Sequence, residues 1–261
     1  LDAIKRGTIE VYSQVARESV MDNFLRITPH LAIWKQQVST DSTEALKQLL
    51  HPASERSQRL LVFPGGEGSK WDDHLSAEDR FTIQQMVHDG EANLMGVCAG
   101  AYYWSRGVQF STSDQSINKT RPASLFPGYA IGPIGGRFRF HANFSYARSE
   151  ALAPAPGIPP CDTAHFYGLV NGGGYFEADP WPENWDVLLN YLAPGQPHHG
   201  KPAVILGRCG KGRVLLSMVH FEYSSEHLPM HLPGSDEIDI QLRWTIDARH
   251  QFIDYFRQQL R

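Results

Sequence analysis

A run from Asn93 to Val97 drives straight into Cys98, which has Gly96 and Gly100 on either side and a helix-compatible Ala-Tyr-Tyr-Trp stretch directly after it. That succession predicts a strand, a tight turn and a helix. A side chain at such an elbow is exposed at the carboxyl edge of a sheet, and the N–H that follows it opens a helix. A thiol in that setting is favoured as thiolate, the nucleophilic form. The competing reading is a buried cysteine used as a small hydrophobe. The paired glycines favour the nucleophile, because an elbow leaves no room for larger neighbours. Cys161, in a Pro-rich loop, and Cys209, at a hairpin turn, lack that setting and are read as incidental.

Around this pivot the chain reads as alternating strands and helices. Thr8 to Ser13 and Leu31 to Gln37 are expected as strands, Arg17 to Ile27 as an amphipathic helix and Thr43 to Leu50 as a helix that ends at Pro52. Arg59 to Phe63 is apolar enough for a strand buried on both faces, and it ends in Pro64-Gly65-Gly66. Ser76 to His88 reads as a helix with Ser76 as N-cap and Gly90 beyond its end. Such a βαβ pattern predicts an α/β fold: a flavodoxin-like, mostly parallel sheet with helices on both faces. Sites in such sheets form at the carboxyl ends of strands, where Gly65-Gly66 and Cys98 both fall.

Beyond Arg106 the helical spacing fades. Short runs, Phe138 to Phe144, His165 to Val170 and Tyr175 to Ala178, suggest strands of an antiparallel extension, and Ala151 to Pro160 reads as an irregular surface loop. Ala203 to Gly207 and Arg213 to Val219 form a hairpin turning at Gly210 and Gly212. Asp239 to Leu260 is expected as one long closing helix. With no linker that splits it, residues 1–261 read as a single domain.

A net charge of −4 without a basic tract argues against nucleic acid or an anionic membrane as partner. No apolar stretch approaches the ~20 residues of a membrane span. A small-molecule or peptide substrate fits better. Three cysteines without CxxC spacing point away from a disulfide framework and towards a reducing, cytoplasmic setting, although Leu1 leaves a removed leader open. Glu226, His227 and His231 resemble a metal-ligand set, but Pro229 and Pro233 oppose the helix it needs, so neither metal nor cofactor is expected.

A cysteine nucleophile needs a base. Of twelve histidines, His220 follows an apolar strand end as Cys98 does, and Glu222, two residues on, lies on the same side of an extended chain. For its carboxylate to reach the ring's far nitrogen, the chain must turn there. An oxyanion needs two N–H donors, one from Ala99 and one from Gly65 or Gly66, where side chains do not obstruct. Asn171-Gly172-Gly173-Gly174-Tyr175 follows another apolar strand, and Asn171, Gly172, Gly173 and Tyr175 are expected to line the pocket with Gly65, Tyr102 and Tyr103. An ordinary flexible loop remains the alternative for the glycines.

Strand-Pro-Gly-Gly, then Gly-x-Cys-x-Gly, then His-x-Glu after a Gly-Lys-Gly-Arg hairpin resembles the class I glutamine amidotransferase-like fold. More narrowly, VFPGGEGSKW, MGVCAGAYYWS and LVNGGGYFEAD resemble the amidotransferase-like N-terminal domain of biotin-protein ligases and its stand-alone relatives, over a stretch from Ile9 to Glu222. The resemblance implies Cys98 as nucleophile, His220 as base, Glu222 as orienting acid, and Gly66 and Ala99 as oxyanion donors. It departs from the amidotransferase pattern at Tyr102, where a substrate-holding Gln is usual, and at Phe221, where Pro is usual. Glutamine is therefore not assigned as the substrate. The chain ends soon after its closing helix, so an ammonia acceptor is expected on a separate subunit, and a homo-oligomer is equally compatible. Gly207-Arg208-Cys209-Gly210-Lys211-Gly212-Arg213 looks like a ligase Gly-Arg loop but falls in the hairpin, which excludes the ligase reading. The function expected is a cysteine-dependent amidase or hydrolase acting on a small amide. A non-catalytic binding module and a peptidase of the same fold are the alternatives.

Overall fold

The computed structural model describes residues 24–28, 31–34, 46, 50, 58–135, 138–139, 147–159, 165–223 and 235–260. The expected strand Thr8 to Ser13, most of Phe138 to Phe144, and Glu226, His227 and His231 lie outside them. Within the expected helix Thr43 to Leu50, the described residues Leu46 and Leu50 are helical and buried.

Among the described residues, β1 (Phe24–Thr28), β2 (Leu31–Trp34), β3 (Arg59–Phe63) and β4 (Ala92–Val97) lead towards Cys98. Two helices lie between β3 and β4: α1 (Ser69–Asp72) and α2 (Ala77–His88). The start of α2 is fixed by a capping box, in which Ser76 Oγ accepts from the Asp79 N–H at 3.1 Å and Asp79 Oδ2 accepts from the Ser76 N–H at 2.9 Å. After Cys98 come α3 (Ala99–Tyr103), β5 (Ser105–Ser111), β6 (Ser116–Thr120), β7 (Phe126–Gly132), β8 (Arg148–Pro154), β9 (Phe166–Val170) and β10 (Tyr175–Glu177). The last part holds β11 (Trp185–Tyr191), β12 (Pro202–Cys209), β13 (Gly212–Ser217), α4 (Ser235–Trp244) and α5 (Ile246–Gln259).

Among the described residues, nine strands form one sheet in the order β1-β2-β3-β4-β13-β12-β11-β8-β9. Only β2–β3, β3–β4 and β4–β13 pair in parallel, so the sheet is mixed and the expected mostly parallel arrangement does not hold. Connection length explains the difference. Parallel neighbours need a long crossover, whereas β12 and β13 are joined by a tight turn at Gly210 and so pair antiparallel. Helices do cover both faces. Alternate residues of β3 point opposite ways: Leu61 and Phe63 pack in one core with Ile83, Met86 and Val87 of α2, while Leu60 and Val62 pack in the other with Phe252 and Phe256 of α5. A second, four-stranded sheet, β10-β7-β5-β6, stands beyond α3.

Three sequence expectations are corrected. Phe24 to Ile27 is strand, not helix, because the run pairs antiparallel with β2, Phe24 opposite Trp34. Helical spacing of Val20, Phe24 and Ile27 was overruled by that pairing. Ala151 to Pro154 belongs to β8, which lies between β11 and β9 and inserts the fully buried Leu152 into the core; the irregular segment starts only at Ala155. The closing helix is broken at Thr245, whose Oγ1 accepts from the backbone N–H of Tyr167 at 3.0 Å and donates to the Gln241 carbonyl at 3.1 Å. The break lets the helix end serve the neighbouring sheet edge.

The elbow itself is held by two close approaches. A Cβ on Gly100 would stand 2.1 Å from the Phe63 carbonyl oxygen, and one on Gly96 2.8 Å from the Gly100 backbone. Aromatic rings wedge α3 against the sheet below: Tyr103 stacks on Phe63 at 6.0 Å and meets Trp71 edge-on at 5.0 Å. Gly100→Ala should therefore lower the unfolding free energy by about 2 kcal/mol or more in urea titrations, as expected when an overpacked backbone must shift.

Candidate active site

Register brings the site together. Phe63 lies opposite Gly96 across β3–β4, and Ser217 opposite Val97 across β4–β13, so the residues just past all three strand ends share one edge. Gly65, Cys98 and His220 lie there. The Cys98 N–H donates to the Ser217 carbonyl at 2.7 Å, and the His220 N–H donates to Leu169 of β9 at 2.8 Å, fixing both backbones.

Cys98 has φ 49° and ψ −107°, and among the described residues no other non-glycine has a positive φ. Such strain costs of order 1–3 kcal/mol and persists only where the surroundings impose it. Here they are the two crowded glycines. The Cys98 thiol faces the Asn171 carbonyl oxygen at 3.5 Å. Behind it, α3 begins at Ala99, and the first N–H groups of a helix have no intrahelical acceptor.

His220 and Glu222 are both buried, and Nδ1 of the ring stands 2.6 Å from Glu222 Oε1. The chain does bend at Glu222, and β13 ends before His220, where Ser217 Oγ donates to the Val219 carbonyl at 2.6 Å and accepts the Val219 N–H at 3.1 Å. Burial alone would lower the His220 pKa. The charges of Glu222 and Cys98, and the hydrogen bonds to both, outweigh it and raise the pKa well above its ordinary 6.5. Contact with Glu222 through Nδ1 leaves Nε2 as the nitrogen for proton exchange at the sulfur. Gly65 packs directly on this ring, since a Cβ there would lie 2.6 Å from His220 Cε1. Gly66 has φ 137°, a backbone region open to glycine.

In front of Cys98 lies a cavity of about 300 Å³. Gly66, Ala99, Tyr102, Tyr103, Asn171 and Gly172 line it, together with Cys98. Gly173 does not; its backbone is pressed on Met218, where a Cβ would meet the carbonyl oxygen at 2.1 Å. Tyr175 also lies outside the lining, under the Lys201 ammonium 5.3 Å from its ring centre. The glycine run thus serves close backbone packing as well as the pocket. Tyr102 threads its hydroxyl between Gly132 and Gly174 and donates to the Gly172 carbonyl at 3.3 Å. Burial raises its pKa well above the ordinary phenol range, so it stays neutral.

Part of the lining was not foreseen. Val108, Phe110, Ile117 and Arg121 come from the β5–β6 hairpin and its exit, and Asp72 from the end of α1. Alternation along Val108-Gln109-Phe110 was the available signal, in a segment where only fading helical spacing had been noted. Burial alone would raise the Asp72 pKa, but Lys119 at 2.6 Å and Arg121 at 3.1 Å overcome it and hold the carboxyl below its usual range.

A family model described as biotin-protein ligase, N terminal, matches residues 13–261. This chain belongs to that family. A biotin–protein ligase of Schizosaccharomyces pombe is 31% identical over 176 residues, which cover 67% of this chain and 27% of that enzyme. The biotin-protein ligase N-terminal chain therefore spans about a quarter of its relative's length. A crystal structure of a glutamine amidotransferase aligns with a TM-score of 0.50 at 18% identity, covering 85% of this chain and 99% of the other, and shows a glutamine amidotransferase-like fold. Among the described residues no helix is long and apolar enough to cross a membrane.

The buried pair makes stability depend on pH. His220 holds its proton more tightly folded than unfolded, so its contribution is full below the unfolded value near 6.5 and is lost as pH rises through the raised folded value. Glu222→Gln should bring the His220 titration, followed by NMR of the ring protons, down towards the ordinary range and remove that alkaline loss of stability.

Proposed function

We propose that this chain is a cysteine-dependent amidase or hydrolase of the glutamine amidotransferase-like fold, acting on a small amide or related carbonyl compound. One observation carries the proposal: a strained Cys98 at a strand-to-helix elbow, in a cavity mouth, beside a His220 whose far nitrogen is held by Glu222 at 2.6 Å. In the first step His220 Nε2 takes the Cys98 thiol proton, the sulfur bonds to the carbonyl carbon as the C=O π bond opens, and the oxyanion is held by the N–H groups of Ala99 and Gly66. The C–N bond then breaks, His220 gives its proton to the leaving nitrogen, and a thioester remains. Water, deprotonated by His220, attacks that thioester, so the acid and the free thiol are regenerated. Glu222 holds the ring's tautomer and orientation throughout. Every step uses groups of this chain and water, and none calls for a cofactor.

The cavity suits a small molecule. Ammonia released from a primary amide would be available to a separate acceptor protein, which is the partner this chemistry favours. The ligation reaction in the yeast relative's name is not assigned to this chain, because the match covers about a quarter of that enzyme.

Cys98→Ala should abolish turnover across a panel of primary amides, esters and short peptides while leaving the circular dichroism spectrum and urea midpoint close to those of the unaltered chain. Turnover that survives the substitution contradicts the proposal.

A further inference from the structure

We propose that the cavity is an acyl pocket, and that the substrate is the amide of an uncharged, apolar carboxylic acid of medium chain length. This names the substrate class of the amidase reading and rests on it. One wall of the cavity is built by strand register. Burial along β5 alternates, with Val108 and Phe110 buried and Gln109 exposed, and Phe110 pairs with Ile117 of β6. Side chains two apart on a strand, and those directly opposite across a pair, share a face. Val108, Phe110 and Ile117 are therefore presented together, and all three line the cavity with Cys98. Phe110 also meets two further lining rings edge-on, Tyr102 and Phe138, each at 5.6 Å between ring centres. Tyr102 is one helical turn beyond Cys98, its N–H donating to the Cys98 carbonyl at 3.1 Å. The apolar row thus begins beside the thiol, where an acyl chain bonded to the sulfur would leave it.

The charged groups of the lining are engaged with one another. Asp72 Oδ1 accepts from Arg80, and Oδ2 from Lys119 and Arg121. Nε and Nη1 of Arg121 are buried and turn no donor into the cavity, and its guanidinium lies over the Tyr103 ring, 4.9 Å from the centre. Asp72 is the one acid among the described lining residues, so a ligand ammonium would meet like charge and no uncommitted carboxylate. A ligand carboxylate would share with Asp72 a Lys119 side chain that is 44% exposed, and would lose its own water against Val108, Phe110 and Ile117. Desolvation costs more there than one shared, exposed cation returns. An alkyl or aryl group meets neither difficulty and gains from leaving water. At about 300 Å³ the cavity stands at the small end of ligand pockets, which suits a chain of several carbons or a single ring. Hydrolysis of such an amide consumes one water, breaks the C–N bond, forms a C–O bond, and gives a monocarboxylate and ammonia. Glutamine, with an ammonium and a carboxylate beyond its amide, fits these walls poorly.

Acetamide, butanamide and hexanamide probe chain length, while adipamate and 6-aminohexanamide carry an anion or a cation at the end of a similar chain. NMR titrations of the Cys98→Ala protein should show affinity rising about threefold for each methylene from acetamide to hexanamide. Hexanamide should bind about tenfold more tightly than adipamate or 6-aminohexanamide. On the same background Phe110→Ala should flatten the rise with chain length. Val108→Thr, which keeps the shape of the wall but sets a hydroxyl in it, should weaken hexanamide more than acetamide. The probe series on the Cys98→Ala protein alone leaves the wall untouched, so a misfolded wall variant would not obscure it. Affinity independent of chain length, binding of none of the probes, a charged probe bound as tightly as hexanamide, or a rise that survives Phe110→Ala would overturn the acyl pocket. Turnover by the unaltered chain separates the two proposals. Affinity that rises with chain length but no hydrolysis of any amide removes the amidase reading and leaves the pocket, whereas hydrolysis of acetamide and hexanamide at equal kcat/KM removes the pocket and leaves the amidase.

Discussion

The parallel register of β3, β4 and β13 is the constraint on which the site depends. Phe63 opposite Gly96 and Ser217 opposite Val97 align three strand ends, so residues distant in sequence leave the sheet at the same level. Hydrogen bonds between strands are set by backbone geometry, and a slip of one residue would turn every side chain to the other face. The sheet's other strands are free to run antiparallel because none of them delivers a reacting group. Its mixed character and its site are thus compatible: the site needs only the β3–β4 and β4–β13 pairings to be parallel, the two that flank the strand leading into the elbow.

Close packing then sharpens what register only approximates. Gly100 against the Phe63 carbonyl, Gly65 against the His220 ring and Gly173 against Met218 each bring backbone where a Cβ would not fit. Glycine here is chosen for proximity, and positive φ is a separate demand met at Gly66 and Gly172. The aromatic cluster of Phe63, Trp71, Tyr103 and Trp104 supplies the rigid floor that keeps Cys98 in its strained conformation. Strain at the elbow is balanced by burial around it.

What could be seen in the sequence divides along the same line. The elbow, the Ser76 cap and the hairpin at Gly210 were legible because each is written in adjacent residues whose local geometry admits few alternatives. His220 and Glu222 were legible only as a spacing, because the bend at Glu222 that brings its carboxylate to the ring is not written in the residues between them. The break at Thr245 could not be seen, since the hydroxyl there accepts the N–H of Tyr167, on a strand distant in sequence. For the same reason β8 looked like a loop. Its Ala and Pro residues acquire strand character from β9 and β11 on either side. Arg121 was invisible for a further reason: a buried arginine has no local signature, because burial is a property of the assembled second sheet.

The central claim is that the fold makes one thiol of this chain a nucleophile. Burial pushes the Cys209 thiol up to about 11, so it should be inert near neutrality and can serve as an internal standard. The most direct measurement is the site-resolved rate of alkylation by iodoacetamide at pH 7, followed by mass spectrometry of the folded chain. The account predicts that Cys98 is modified well before Cys209, and that His220→Gln slows the modification at Cys98 alone. Modification of Cys98 no faster than Cys209, or at a rate indifferent to His220, would contradict it.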